Sequence, residues 1–355
     1  KELKDELFKY GYIGKFTSYK GRNYEWGYDS TLKLTGWKLN NFPDTLVTFE
    51  PGKYNPDAAA FTSSYYSMYD LHSGYYSQKT YIEDARGLLN GQQPESVYGL
   101  ITHIGTRYNN YSHSVANQFA FSINGSIDIK NHNIQLGFQF EQQIDRGYGY
   151  SPVGLWTLMR SLANKHITQL DFTNPYPVYS YDGIDSVFQD TINYGRKYNA
   201  DEQSFFDKNL RKKLGLAVNG TDWLDIDNLD PSVFSIDMFS ADELLNEGNS
   251  YVSYYGYDYT GKKLKKKPTI EDFFVNKDEN GNYKRSIDAS RPIYMAGYIQ
   301  DKFAFKDLIF NIGLRVDRFD ANHPVLKDPY CLYEARTVKD VTNLGSHPSN
   351  MGKDY

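Results

Sequence analysis

The sequence predicts an all-β chain: part of a transmembrane antiparallel β-barrel, with long extracellular loops that contain short helices. Three observations predict it. Several segments alternate apolar and polar residues with a period of two, so each has two chemically different faces. Short and long connections alternate strictly between these segments. No run approaches the ~20 apolar residues of a spanning helix, which leaves strands as the only way across a bilayer.

Five strands are expected, near residues 8–18, 115–130, 133–147, 292–306 and 308–320. In the first, Phe8, Tyr10, Tyr12 and Phe16 share a parity that Ile13 interrupts. In the second, Phe119, Phe121, Ile123, Ile127 and Ile129 alternate with Ala120, Ser122, Asn124, Ser126 and Asp128. The third alternates Ile134, Leu136, Phe138 and Phe140 with Asn133, Gln135, Gln139 and Glu141. The fourth, IYMAGYIQDKFAF, alternates poorly. The fifth sets Phe310, Ile312, Leu314 and Val316 against Asn311, Gly313, Arg315 and Asp317. Each is long enough for the ~9–11 residues of a tilted spanning strand.

The second and third strands join through the tight polar turn Asn131-His132-Asn133, and the fourth and fifth at Lys306-Asp307. The remaining connections are long loops, near 19–114, 148–291 and 321–355. Compact domains seldom need structureless links beyond ~15 residues, whereas membrane barrels have short turns at one end and long loops at the other. The apolar parity is therefore expected to meet lipid. The polar parity, Gln135, Gln139, Glu141, Asn311, Arg315 and Asp317, is expected to face a lumen. Within the loops, Leu155, Leu158, Met159 and Leu162 have helical spacing, and Ser240 with Glu243 forms a capping box. Such loops are expected to pack on one another. About eight strands are needed for the smallest barrels, so five imply an interior piece of a longer chain.

Composition narrows the function classes. The chain has 39 basic and 44 acidic residues, net charge -5, and thus no basic footprint for nucleic acid. Its single Cys, Cys331, excludes an internal disulfide and a Cys-based zinc site. No HExxH, GxSxG, Walker or GxGxxG pattern occurs, so no enzyme is expected. The 33 Tyr suit membrane-interface girdles, ligand platforms or loop cores. Tyr65, Tyr66, Tyr254, Tyr255, Tyr257 and Tyr259 are the candidate ligand-binding residues, against the plainer role of holding the loops together. Asp222, Asp225, Asp227 and Asp230 offer oxygen ligands for Ca²⁺, although the spacing is not that of an EF-hand and a solvated acidic loop is the plainer alternative. The run Lys262 to Lys267 could meet anionic lipopolysaccharide or keep a loop tip solvated.

The stretch AGYIQDKFAFKDLIFNIGLRVDRFD resembles a barrel hairpin of TonB-dependent outer-membrane receptors of Bacteroidetes. The large type with a carboxypeptidase-regulatory-like N-terminal domain is the nearest. FKYGYIGKF is similar to one of their strands, and SIDMFSADELLNEGNSYVSYYGYDYTGKK to one of their extracellular loops. The resemblance implies a plugged, ~22-stranded barrel in the bacterial outer membrane. It also implies energised uptake through TonB, contacted by a part of the chain not present here, and no cofactor. Three functions follow as expectations: transport of a bulky nutrient (peptide, glycan or metal complex), a scaffold that binds a surface lipoprotein or secretion partner, or a soluble Tyr-rich glycan-binding β-protein.

Overall fold

A computed structural model describes residues 6–68, 79–84, 87–95, 108–325, 336–341, 343 and 345–352. In chain order the elements are α1 (Leu7–Tyr10), β1 (Gly14–Lys20), β2 (Asn23–Asp29), β3 (Leu34–Asn41) and β4 (Asp44–Pro51). Then come α2 (Pro56–Met68), α3 (Lys79–Asp84), β5 (Tyr111–Ile129), β6 (His132–Tyr150) and α4 (Leu155–Leu162). Next are β7 (Gln169–Tyr181), β8 (Ser186–Lys197), α5 (Phe205–Lys213), α6 (Ala241–Leu245) and β9 (Val252–Tyr255). Finally there are α7 (Ile270–Val275), β10 (Ile293–Phe305) and β11 (Leu308–Asp320). Strand makes up 42% and helix 22%, so the fold is mostly antiparallel β rather than all-β. Among the described residues, none of the sheets closes into a barrel.

The chain divides into two compact units. The first comprises Lys1–Val115 and Arg146–Ala289, and the second Ala116–Asp145 and Ser290–Tyr355.

The second unit is built on the sheet β11-β10-β6-β5, in that order. Its two hairpins turn at Lys130-Asn131 and Lys306-Asp307, and both first turn residues are left-handed (φ 54° and 53°). Positive φ at a turn's first position matches the right-handed twist of the flanking strands, at some steric cost for a side chain larger than glycine's. The register places His132 opposite Phe303. The Ala304 amide donates to the Asn131 carbonyl at 3.2 Å. Both tight turns therefore lie at one end of the sheet, and the long connection from β6 to β10 starts and ends at the other. The poorly alternating fourth strand, β10, is central, hydrogen-bonded to β6 on one side and β11 on the other. Partners on both sides make its register independent of its own weak pattern.

The first unit corrects two sequence expectations. Residues 8–18 are not one continuous strand: α1 covers Leu7–Tyr10 and β1 starts at Gly14, paired with β4. Phe8, Tyr12, Ile13 and Phe16 are all buried, so both parities are enclosed and neither faces an outer medium. Ile13, the residue that breaks the alternation, is fully buried. The loops near 19–114 and 148–291 also hold strands of their own. The order β3-β2-β7-β8 forms a four-stranded sheet, and β9 pairs with residues 147–150 of β6. Register shifts within β7–β8 and within β2–β3 break the period of two, which hides these strands from a pattern search.

The expected packing of the two long loops on one another is observed: Gly27 of β2 pairs with Val178 of β7, and Asn90 donates to Asp227. α4 buries Leu155, Leu158 and Met159 against Phe8, Phe206, Phe234 and Phe239. Phe206 stacks on Phe239 at 4.6 Å, and Trp156 meets Phe234 edge-on at 5.4 Å. At α6 the Ser240 hydroxyl accepts from the Glu243 amide, and the Glu243 carboxylate accepts from the Ser240 amide at 2.8 Å, the capping box read from the sequence. The same carboxylate accepts from the amides of Phe205 and Phe206 at the start of α5. One half-buried side chain thus fixes two helix N-termini.

Candidate functional site

The second unit presents two unlike faces. Cross-strand rows Leu136–Ile299–Leu314 and Phe138–Gly297–Val316 run across three strands of one face. Phe119 packs on Phe140 there and extends the surface to β5. These side chains are exposed: Phe119 is 63% accessible, Ile312 62%, Leu314 66% and Val316 64%. The face changes character at both ends: near the tight turns His132 Nδ1 lies 2.6 Å from Asp301 Oδ2, and at the far end Arg318 lies opposite Met295 and Asp320 opposite Ile293.

The opposite face gathers all six residues expected to share a polar parity. Asn311 and Asn133 flank Lys302, and Gln135 and Gly313 flank Gln300. Gln139 and Asp317 flank Ala296, and Glu141 and Phe319 flank Tyr294. Arg315 is opposite Tyr298. Its guanidinium donates to Asp317 (3.0 and 3.2 Å), Gln139 Oε1 (2.9 Å) and Tyr294 Oη (2.8 Å), while Tyr294 donates to Asp317. Gln118 donates to Glu141 at 3.0 Å and Tyr298 to Asn124 at 3.0 Å. Tyr294 and Tyr298 were not among the expected polar residues, and their place is legible only from the register of β10.

The four aspartates do not converge. Asp227 is fully buried between two cations: Arg160 Nη1 at 2.9 Å and Lys79 Nζ at 3.2 Å. Asp225 accepts from the same Lys79 at 2.9 Å and from the Ser18 hydroxyl at 2.7 Å. Asp230 caps a 3-10 turn by accepting from the Ser232 amide. Asp222 contributes its backbone carbonyl to Arg211 Nη2 at 2.8 Å. Burial alone would raise the Asp227 carboxyl, but the Arg160 and Lys79 charges outweigh it and hold the group below the usual carboxylate range. Two aspartates neutralised by cations have little charge left for Ca²⁺, and no cluster of three acidic, His or Cys ligands occurs among the described residues. The aspartates instead knit the loops. Asn90 donates to Asp227 at 3.2 Å and accepts from the Ile13 amide at 2.7 Å.

The tyrosines divide. Tyr254 is buried and donates to the Arg285 carbonyl at 2.9 Å. Tyr257 packs edge-on against Tyr148 at 4.9 Å. Burial pushes the Tyr254 hydroxyl up, and that of Tyr259 to about 12. Tyr65 is enclosed with Phe16, Val47, Ile82 and Leu89. These four hold the first unit together. Tyr255 is on the opposite side of β9 from Tyr254 and is 38% accessible. Tyr66 falls within α2, but its side chain lies outside the described residues, as do Tyr75, Tyr76 and Cys331. All five lysines between Lys262 and Lys267 are exposed.

One cleft of the first unit escaped the sequence reading. It encloses about 330 Å³ between Lys20, Arg22, Phe42, Ile167, Tyr198, Thr221 and Trp223. Its residues come from five separate stretches of chain, so no linear motif announces it.

A scan of protein-family models matches none of them to this chain, and a search of curated proteins returns no match. The function therefore has to be argued from the chemistry of these surfaces.

Proposed function

We propose that this chain is a segment of a TonB-dependent outer-membrane transporter, in which the first unit is the outward-facing loop assembly that captures a bulky nutrient: a peptide, a glycan or a metal complex. The observation that carries this is the second unit's sheet, whose contiguous apolar face is exposed while the opposite face is a hydrogen-bonded polar network. Soluble monomers rarely expose apolar patches beyond a few hundred Å². A membrane barrel needs that arrangement, lipid outside and a polar lumen inside, with tight turns at one end and long connections at the other. In that setting Gln139, Arg315 and Asp317 line the lumen, and the exposed Lys262–Lys267 run suits anionic lipopolysaccharide. A part of the transporter outside these residues would contact TonB. The His132–Asp301 pair, close to the tight turns, marks where the apolar band gives way to the interface.

Adjacent residues on opposite faces give the mutational test. Leu136→Arg, in the row with Ile299 and Leu314, puts a charge on the lipid face and costs about 2–4 kcal/mol in a folding titration from lipid vesicles. Gln135→Arg, on the polar face, stays within about 0.5 kcal/mol of the parent. Equal losses would remove the two-environment argument. Transport itself is tested in cells carrying the protein. Uptake of a labelled peptide or glycan should stop when a protonophore collapses the inner-membrane gradient, with surface binding retained.

One observation favours a second function, a scaffold for a surface lipoprotein or secretion partner. The first unit has an extensive aromatic core and buried ion pairs, more order than a capture loop requires. A scaffold would keep its partner in a stoichiometric complex when the TonB contact is deleted, and uptake would be unaffected.

A further inference from the structure

The cleft around Trp223 is built rather than incidental. The loop carrying Trp223 is held by three buried polar side chains. Asn164 accepts from the Leu224 amide and donates to the Leu224 carbonyl, both at 2.8 Å. The His166 ring is 3.0 Å from the Gly220 carbonyl, and Arg211 donates to that of Asp222. Buried polar groups that hold one surface loop preorganise what the loop presents, which lowers the entropy cost of binding. The facing wall is fixed as well, because the Gly21 amide donates to the Pro43 carbonyl at 2.8 Å and so ties the β1–β2 turn to the β3–β4 turn.

The walls are apolar rings. Phe42 stacks near Trp223, with centroids 5.5 Å apart and planes at 30°, and Tyr198 and Ile167 complete the lining. The polar groups are cationic or hydroxylic. Lys20 Nζ is 4.8 Å from the Trp223 ring centroid and is neutralised by Asp44 at 2.7 Å. Arg22 is exposed, and no carboxylate among the described residues pairs with it. A free guanidinium at a rim of aromatic rings is notable in a chain of net charge -5. The volume is at the low end of the ~300–1,000 Å³ of small-ligand sites.

We propose that this cleft binds a sugar acid, a pyranose ring carrying a carboxylate. The C–H face of a pyranose packs on an aromatic ring, its hydroxyls reach the Thr221 and Tyr198 hydroxyls at the rim, and its carboxylate pairs with the planar fork of Arg22. An inorganic anion would leave the aromatic walls unused, and a neutral sugar would leave Arg22 unused. As a place of first contact in uptake, the cleft rests on the transporter function proposed above. Binding itself requires only the first unit.

The test is calorimetric titration of the whole protein in detergent with sodium glucuronate, glucose or acetate at constant ionic strength. Glucuronate is expected to bind at least about tenfold more tightly than glucose, a difference of ~1.4 kcal/mol, and acetate not at all. Trp223→Ala should abolish the glucuronate heat. Arg22→Gln, at an exposed site that leaves the fold intact, should remove the preference over glucose. The proposal is overturned by equal binding of glucuronate and glucose, by no glucuronate heat in the parent protein, or by Arg22→Gln leaving the preference unchanged. Protonophore-sensitive uptake of a neutral cargo with no glucuronate binding would reject the sugar acid and keep the transporter. Glucuronate binding by a protein that never enters membranes would do the reverse.

Discussion

Asp227→Ala is expected to unfold much of the first unit, at a cost of about 3–5 kcal/mol, the range for removing one partner from a buried ion pair. The carboxylate is fully buried and serves three donors: Arg160, Lys79 and Asn90. Its loss leaves Arg160 with only the Asn90 carbonyl and the Thr157 hydroxyl, and Lys79 with Asp225 alone. It also frees Asn90, whose amide group bonds the backbone of residues 13 and 14 and so anchors β1. Asp225→Ala removes a more accessible carboxylate of the same Lys79 and should cost clearly less. The same geometry sets an acid limit. The Asp227 carboxyl is held below its unfolded value of ~3.9, so its contribution is complete above that pH and is lost as the pH falls through the lower, folded value. Tryptophan fluorescence followed between about pH 5 and pH 2 should show the first unit opening, and the Asp227→Ala variant should lack that transition.

Trp156→Ala is expected to cost about 3–5 kcal/mol. The indole is fully buried in contact with Tyr12 and Phe234, with ring centroids 5.5 and 5.4 Å away. Its Nε1 donates to the Phe8 carbonyl at 2.8 Å and fixes the end of α1. Gly11 has no side chain because the indole fills that space: a Cβ there would fall 2.3 Å from the ring. Trp156→Phe restores most of the volume but leaves the Phe8 carbonyl unpaired in the core, so about 1–3 kcal/mol should remain. Urea midpoints of the three proteins give the order: parent, Phe, Ala.

The sequence was most informative where a strand has two chemically different faces. β6 and β11 were legible with their faces, because Leu136 against Gln135 and Leu314 against Arg315 leave only one consistent parity. α4 and the Ser240–Glu243 box were legible because spacing and capping are local. Residues 8–18 misled because Phe8, Tyr10, Tyr12 and Phe16 mimic alternation across a helical turn and the start of β1, with Tyr12 and Ile13 of opposite parity both buried. The aspartate group misled because its partners, Lys79 and Arg160, are distant in the chain, and closeness in sequence among acids says nothing about cations folded between them. Tyr254 and Tyr255 are neighbours with opposite fates, set by the pleat of a four-residue strand too short to recognise. The Trp223 cleft was hidden because its walls are one or two residues from each of five separate stretches of chain.

Whether the exposed apolar face meets lipid can be measured directly. With Cys331 replaced by Ser, single cysteines at Leu314 and Arg315, and at Leu136 and Gln139, would carry an environment-sensitive fluorophore in vesicles doped with nitroxide-labelled lipid. A barrel wall gives strong quenching at Leu314 and Leu136 and little at Arg315 and Gln139. Uniform quenching along the strands, or none at any of the four positions, would mean that this sheet is not part of a barrel in a membrane.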